Sequence, residues 1–115
     1  MADNQLTGHL DAFFQGNRLI VRGMVALYIE KMPLLLDQLD AQFVAGDQAA
    51  MFATVRRMRS NLRLMEERSI DRGLIDLEVS IQANASRDHI KQQISINASM
   101  IEASCLTFQA VLLGD

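Results

Sequence analysis

The sequence has few of the residues that build disulfides, tight turns and metal sites. Of its 115 residues, one is cysteine, one is proline, two are histidine and none is tryptophan. A lone cysteine excludes an intrachain disulfide. The two histidines, His9 and His89, come with no clustered cysteines or spaced carboxylates, so they make no metal motif. With no glycine-rich phosphate loop or nucleophile elbow either, we expect no metal, no cofactor and no enzymatic activity.

Membrane and strand signals are also missing. No apolar run approaches the roughly 20 residues that span a bilayer, and the N-terminal residues lack the basic and apolar regions of a signal peptide. No Asn-Gly or Asp-Gly pair separates alternating segments, so hairpins have little support. We therefore expect a cytoplasmic protein with no membrane contact.

Apolar residues recur at helical spacing through most of the chain. They predict a short helix over 4–14 and long helices over 18–44, after Asp47, over 68–83 and over 87–113. Glycine or asparagine and aspartate stand at the breaks, where they supply positive φ and helix caps. The predicted fold is therefore all-α, a single domain over 1–115. We expect an antiparallel up-down four-helix bundle with the short extra N-terminal helix over one end.

Each long helix has a predicted buried face. These faces are Leu19, Met24, Leu27, Met32, Leu35, Leu39 and Phe43; then Met51, Val55, Met58, Leu62 and Met65; then Ile70, Leu74, Leu77 and Ile81; and finally Ile90, Ile94, Met100, Ile101, Cys105, Phe108 and Leu112. The second set is the narrowest, spanning about 80° of the helix circumference, which is typical of a bundle seam. Pro33 predicts a kink rather than a break in the first long helix.

Charge is concentrated in one region of an otherwise acidic chain. The net charge is −3, yet six of the nine arginines fall within residues 56–72. Phe52, Arg56, Arg59 and Arg63 share a stripe beside the seam, and Ser60 lies next to Arg56. Like charges at this spacing cost a few tenths of a kcal/mol each. Either the stripe is a solvated face, offset by acidic residues at 66, 67 and 71, or it is a docking surface for an acidic partner.

The order of several motifs resembles that of histidine phosphotransfer domains over roughly residues 10–112. In that family a helix opens after Gly-Asp, and nine residues beyond the Asp comes His-x-Leu/Met-Lys-Gly/Ser. Here Asp47 is followed nine residues later by Arg-Arg-Met-Arg-Ser-Asn at 56–61. The segments 27–33, with its proline, 35–39 and 74–78 are also similar to family segments.

Two departures from the family pattern bear on activity. Arg56 stands at the position of the phospho-accepting histidine, and a guanidinium keeps its proton in proteins and only donates. It therefore has no nitrogen lone pair with which to attack a phosphoryl group. Glu66 stands where the family usually has a glycine, so we expect the helix end to be built differently. Neither His9 nor His89 is followed by the Leu/Met-Lys-Gly/Ser pattern, and surface or capping roles are expected for both.

The resemblance implies a signalling module of a two-component phosphorelay that regulates phosphate transfer without relaying phosphate. Its partner would be a response-regulator receiver domain or a hybrid histidine kinase. Arg59 matches the family's lysine, which attracts the phosphoryl group, and Ser60 matches the small residue that lets the partner approach. With Arg56 at the acceptor position, the expected docking residues are Phe52, Arg57, Arg59, Ser60 and Arg63.

Two interpretations from other classes remain open. The basic stripe could bind nucleic acid or another anionic partner with a steep salt dependence. A net charge of −3, a single tyrosine and no tryptophan argue against base stacking. Alternatively, the chain could be a structural bundle that dimerises through leftover apolar surface, although we expect a monomer.

Overall fold

The computed structural model describes residues 18–65 and 67–114, and all of its regular elements are helical. Four α-helices follow one another: α1 Arg18–Ala45, α2 Gln48–Leu62, α3 Arg68–Gln82 and α4 Arg87–Gly114. A single 3-10 turn, Arg63–Met65, extends α2. The predicted helix over 4–14 lies outside the described residues, and so does His9.

The four helices form an antiparallel up-down bundle. Each helix packs on its neighbours in the chain, and α4 returns to pack on α1, which closes the ring around one core. α1 and α4 have 28 residues each. At 1.5 Å per residue they are about 42 Å long, which matches the 44 Å long axis of the molecule. The predicted all-α bundle is confirmed for the described part of the chain.

The predicted buried face of α1 is wrong in part. Leu19 is 84% exposed and Leu27 is 48% exposed, while Met24, Leu35 and Phe43 are only half-buried. Only two of the predicted residues, Met32 and Leu39, are fully buried. The helix instead buries Val21, Val25, Tyr28, Met32, Leu36 and Leu39. That set follows steps of three and four residues, whereas the predicted set contains five-residue steps that rotate around the helix.

The faces predicted for α2 and α3 are confirmed. Met58 and Leu77 are fully buried, as are their companions along both seams. In α4, Ile90, Ile94, Ile101, Cys105 and Phe108 are buried as predicted, but Met100 and Leu112 are only half-buried. Their places are taken by Asn97, Ser104 and Val111, all buried. Two of these are polar, so an apolar pattern could not find them.

Local chemistry ends and starts the helices as expected. Gly46 has a φ of 71° and Asn84 a φ of 55°, the left-handed conformations that terminate α1 and α3. The Asp47 carboxylate accepts from the backbone N–H of Ala50 at 3.0 Å and so caps α2. α1 continues without a break through Pro33, which is exposed.

Arg87, the first residue of α4, contacts the end of α1. Its Nη1 donates to the backbone carbonyl of Phe43 at 3.2 Å, and its guanidinium carbon lies 4.3 Å from the centre of the Phe43 ring. The last carbonyls of an α-helix have no partner within the helix. Arg87 therefore supplies both a donor and a positive charge at the C-terminal end of α1.

By length and composition, the segment Arg87–Leu113 of α4 could cross a membrane. A core helix of a soluble bundle has the same composition, and a third of the apolar window in α4 is buried inside the protein. The buried side chains include Ile94, Ile101 and Phe108, which pack in the common core. This helix is therefore weak evidence for a membrane span.

Gly73, in the middle of α3, makes room for the side chain of Asn97 on α4. A Cβ atom at position 73 would meet the Asn97 amide, whose Nδ2 donates to the carbonyls of Gly73 at 3.3 Å and Gln93 at 2.8 Å. Alanine is ordinarily preferred to glycine inside a helix by about 1 kcal/mol. We expect Gly73→Ala to lower the free energy of unfolding by about 1–3 kcal/mol instead, because the buried amide must move.

Urea denaturation of the single and double variants tests this contact. Asn97→Ala made in the Gly73→Ala background removes the clash and is expected to recover most of the lost stability. A Gly73→Ala protein as stable as the parent would contradict the packing of α3 on α4 described here.

Candidate functional site

The outward side of α2 carries a row of exposed polar side chains. Because the seam residues point inward, Arg56, Arg57, Ser60 and Arg63 lie on the surface. The guanidinium carbon of Arg56 lies 5.8 Å from the centre of the half-buried Phe52 ring, one turn earlier. This distance is within the range of a cation–π contact, and the guanidinium stays exposed to solvent.

Two short polar side chains on this surface bond back to the backbone of α2. Ser60 Oγ donates to the carbonyl of Arg56 at 3.2 Å, and Asn61 Nδ2 donates to the carbonyl of Arg57 at 2.9 Å. Both bonds reach back one turn along α2, so neither side chain projects outward. A partner could approach the helix backbone closely between the arginines. The structure therefore brings Phe52, Arg56 and Ser60 together, as the predicted stripe has them, while Arg57 lies on the neighbouring side of α2.

Arg59 is half-buried and is bound by two carboxylates of α3. Its Nε donates to Asp71 Oδ1 at 2.9 Å, and its Nη1 lies 3.2 Å from both carboxylate oxygens of Glu78. Hydrogen bonding to Asp71, with a further contribution from Glu78, raises the pKa of Arg59 above its ordinary value. Arg59 therefore ties α2 to α3, and the prediction that acidic residues offset the charge holds at this position.

Sequence reasoning missed Glu78 as a partner of Arg59. Asp71 and Glu78 are seven residues apart, which places them two turns apart on the same side of α3. That spacing was visible in the sequence. What the sequence did not show was which arginine of α2 they would meet.

A cleft with a volume of about 290 Å³ opens between the end of α2 and the start of α3. Four arginines, 56, 59, 63 and 68, line it together with Ser60, Leu62 and the acidic residues 67 and 71. In the described part of the chain, only Arg59 of these four arginines forms an ion pair. The cleft therefore has an excess of positive charge. Arg68 also lines the cleft. It belongs to the arginine-rich region of the sequence but not to the predicted stripe.

A second groove, of about 370 Å³, runs along the other side of α2, against α1. Leu34 and Leu35 contribute apolar surface to it, and Arg57, Ser60 and Asn61 form its α2 wall. Ser60 lines both depressions. Arg56, Arg57 and Ser60 form an exposed ridge on α2. A basic cleft lies on one side of this ridge, and a more apolar groove lies on the other.

Buried hydrogen bonds position the start of α3 at the edge of the basic cleft. Ser104 Oγ lies 3.0 Å from Glu67 Oε1 and 2.9 Å from the hydroxyl of Tyr28. Since a carboxylate only accepts, Ser104 donates to Glu67 and Tyr28 donates to Ser104. Glu67 occupies the N-cap position of α3 but makes no side-chain cap bond. Its carboxylate faces Ser104 on α4 instead.

Removal of the Tyr28 hydroxyl is expected to change the dependence of stability on pH. Burial raises the pKa of Tyr28 to about 12. In the unfolded chain a tyrosine ionises near pH 10. The contribution of Tyr28 is therefore complete below about pH 10 and is lost as the pH rises from about 10 to 12.

We expect Tyr28→Phe to lower the free energy of unfolding by about 1–2 kcal/mol at neutral pH. It should also flatten the fall in stability of the parent protein above pH 10. Denaturant titrations of both proteins at pH 7, 10 and 11.5 measure this. Parallel pH profiles would show that Tyr28 is not held protonated by the fold.

The remaining candidate residues lie away from this surface. His89 is exposed in the first turn of α4, where its backbone N–H donates to Ser86 Oγ at 3.2 Å. Cys105 is buried, and burial raises the pKa of its thiol. Within residues 18–65 and 67–114, no three His, Cys, Asp or Glu side chains come close enough to hold a metal ion.

Comparison of the chain with family models, curated proteins and solved structures returned no match.

Proposed function

We propose that the chain is a non-catalytic, phosphotransfer-like signalling module of the cytoplasm. It binds the receiver domain of a response regulator, or of a hybrid histidine kinase, through the exposed ridge of α2. The observation that carries the proposal is the position of Arg56. It lies exposed on α2 beside Ser60, nine residues after Asp47, which is the spacing of the acceptor histidine in the phosphotransfer pattern that the sequence resembles.

The surface around Arg56 fits an acidic partner. Arg56 and Arg57 are exposed and form no ion pair among the described residues, so their donors face solvent. Guanidinium groups bind carboxylates and phosphorylated carboxylates through paired hydrogen bonds. Arg63 extends the same charge along the cleft. Arg59 supports the ridge from inside, because Asp71 and Glu78 already occupy its donors.

The groove on the α1 side supplies apolar contact for such a partner. Leu34 is 56% exposed beside Arg57, and Leu35 lies half-buried behind it. Specific interfaces combine apolar area with a charged border. The ridge of α2 offers both within one face, which favours a protein partner over a purely electrostatic one.

The chemistry at position 56 separates binding from transfer. Phosphoryl transfer to a histidine requires a nitrogen lone pair on the acceptor, and a guanidinium has none to offer. The module would therefore occupy a receiver without taking its phosphate. Occupancy alone would compete with other partners of that receiver.

Charge reversal at Arg57 tests the docking surface. Against a panel of purified receiver domains, with and without phosphorylation by acetyl phosphate, we expect at least one receiver to bind the parent protein. Arg57→Glu should weaken that binding at least tenfold, about 1.4 kcal/mol, through repulsion of the acidic partner. Fluorescence anisotropy at fixed ionic strength gives both dissociation constants.

Arg72→Glu is the matched control, since Arg72 is an exposed arginine of α3 outside both depressions. It changes the net charge by the same amount and is expected to leave affinity within twofold. Equal weakening by both variants, or no binding to any receiver, would overturn the proposal.

A further inference from the structure

Three guanidinium groups converge on the basic cleft without a carboxylate of their own. Arg56 comes from the middle of α2, Arg63 from the 3-10 turn and Arg68 from the first position of α3. All three are exposed and form no ion pair in the part of the chain that the structure describes. Arg59, the fourth arginine, already has Asp71 and Glu78. The unpaired charge therefore comes from three separate elements around one space.

The start of α3 adds to this positive potential. The first backbone N–H groups of a helix carry a partial positive charge, and a neighbouring cation is unfavourable there. Arg68 is the first residue of α3, and the N-cap residue Glu67 makes no capping bond, because it accepts from Ser104. Glu67 at the N-cap and Asp71 in the first turn of α3 offset part of this positive charge, and a bound anion would offset the remainder.

The carboxylates of the cleft offset only part of its positive charge, since two carboxylates face four arginines. Asp71 is bound to Arg59 at 2.9 Å, and Glu67 is bound to Ser104 at 3.0 Å. Each is therefore already engaged within the bundle. An incoming anion would meet the donors of Arg56, Arg63 and Arg68 first.

We propose that this cleft is a binding site for a small organic phosphate. Guanidinium groups from three elements would hold the phosphoryl oxygens through charge-assisted hydrogen bonds. The volume of about 290 Å³ is at the lower end of small-molecule sites and leaves room for a group the size of a sugar beside the phosphate. Among the described residues, none that lines the cleft is aromatic, so recognition depends on the phosphate and on polar contacts such as Ser60 rather than on stacking of a base.

This inference goes beyond the proposed docking function, since its ligand is a small molecule and its decisive residue, Arg68, lies outside the docking ridge. The two surfaces share Arg56, Ser60 and Arg63. A phosphate ester in the cleft would occupy these arginines and so would compete with an acidic partner.

The test is isothermal titration calorimetry of the full chain with ribose 5-phosphate, at an ionic strength held constant with sodium chloride. We expect saturable binding at one site. Arg63→Gln and Arg68→Gln should each weaken it at least fivefold, while Arg72→Gln should leave it within twofold. Far-UV circular dichroism of each variant checks that the bundle is folded. Glutamine preserves helix-forming tendency at these exposed positions.

Three outcomes would overturn the assignment. They are the absence of saturable binding, an equal loss in the Arg72→Gln control, and inorganic phosphate binding at least as tightly as ribose 5-phosphate. The last would leave the organic part of the ligand without a role. Arg57→Gln, which removes a docking charge outside the cleft, should keep its phosphate affinity within twofold. Failure of receiver docking and failure of this site are therefore seen separately.

Discussion

Arg56→His is expected to turn a protein that accepts no phosphate into one that does. The substitution places an imidazole at an exposed position of α2, one turn before Ser60 and nine residues after the helix-capping Asp47. An imidazole has a pKa of about 6.5, so its nitrogen lone pair is available near neutral pH. That nitrogen can attack the phosphorus of an aspartyl phosphate. The new N–P bond forms as the bond to the aspartate oxygen breaks and a carboxylate is released.

Receiver domains that carry a radioactive phosphoryl group are incubated with the chain. The labelled chain is then treated with acid and with base. We expect no labelled parent protein and an acid-labile, base-stable label on Arg56→His. The existing His89, exposed on α4, should stay unlabelled in both proteins. Arg72→His is the matched control for a new exposed histidine elsewhere on the bundle. Label on the parent protein, or equal label on Arg72→His, would show that position 56 is not an acceptor position.

Leu39→Ala is expected to cause a large loss of stability. Leu39 is fully buried in the core formed by all four helices. Its truncation removes apolar contacts and leaves a cavity, for which losses of about 2–5 kcal/mol are typical. We therefore expect a fall of that size in the free energy of unfolding, measured by urea denaturation with circular dichroism.

Leu34→Ala is the matched control, since it makes the same chemical change five residues earlier on the same helix. Leu34 is 56% exposed on the outer side of α1, so its truncation should cost less than about 0.5 kcal/mol. Similar losses for the two variants would contradict the rotation of α1 described here. Because Leu34 lines the apolar groove, its variant should also weaken receiver binding while the bundle stays stable.

Sequence periodicity determined the buried faces of α2 and α3 but not that of α1, and the reason is the distribution of polar residues. α2 and α3 are polar around most of their circumference, so only one stripe can be buried. α1 has leucines on several sides, and Leu19, Leu27 and Leu34 remain exposed. A helix that is apolar on several faces has no single favoured rotation until its neighbours are in place.

Polar groups decide part of that rotation. Tyr28 is buried against α4. Its hydroxyl bonds to Ser104, and its ring packs edge-on against Phe108 with the ring centres 5.5 Å apart. Ser104 and Asn97 have no apolar signature that would place them in a core. Contacts between residues 76 positions apart in the chain are not visible in local spacing.

The sequence predicted that the arginines of α2 share one side of the helix. It did not predict which of them would form ion pairs with α3. Arg56 and Arg59 lie on the same side of α2 and are chemically identical. Packing against α3 separates them, because Asp71 and Glu78 meet Arg59 while Arg56 lies over Phe52. The basic cleft likewise depends on the 3-10 turn between α2 and α3, after which both Arg63 and Arg68 line one space.

The most direct test of the proposed role is to map where a receiver domain touches the bundle. Amide ¹H–¹⁵N spectra of the ¹⁵N-labelled chain are recorded as a receiver domain that binds it is added. The amides whose signals shift locate the contact residue by residue. The account predicts that the shifted amides follow the exposed ridge of α2, centred on Arg56, Arg57 and Ser60, and extend to Leu34 across the groove. Shifts confined to the outer side of α3 and α4, around Val79 or Ile96, would contradict it.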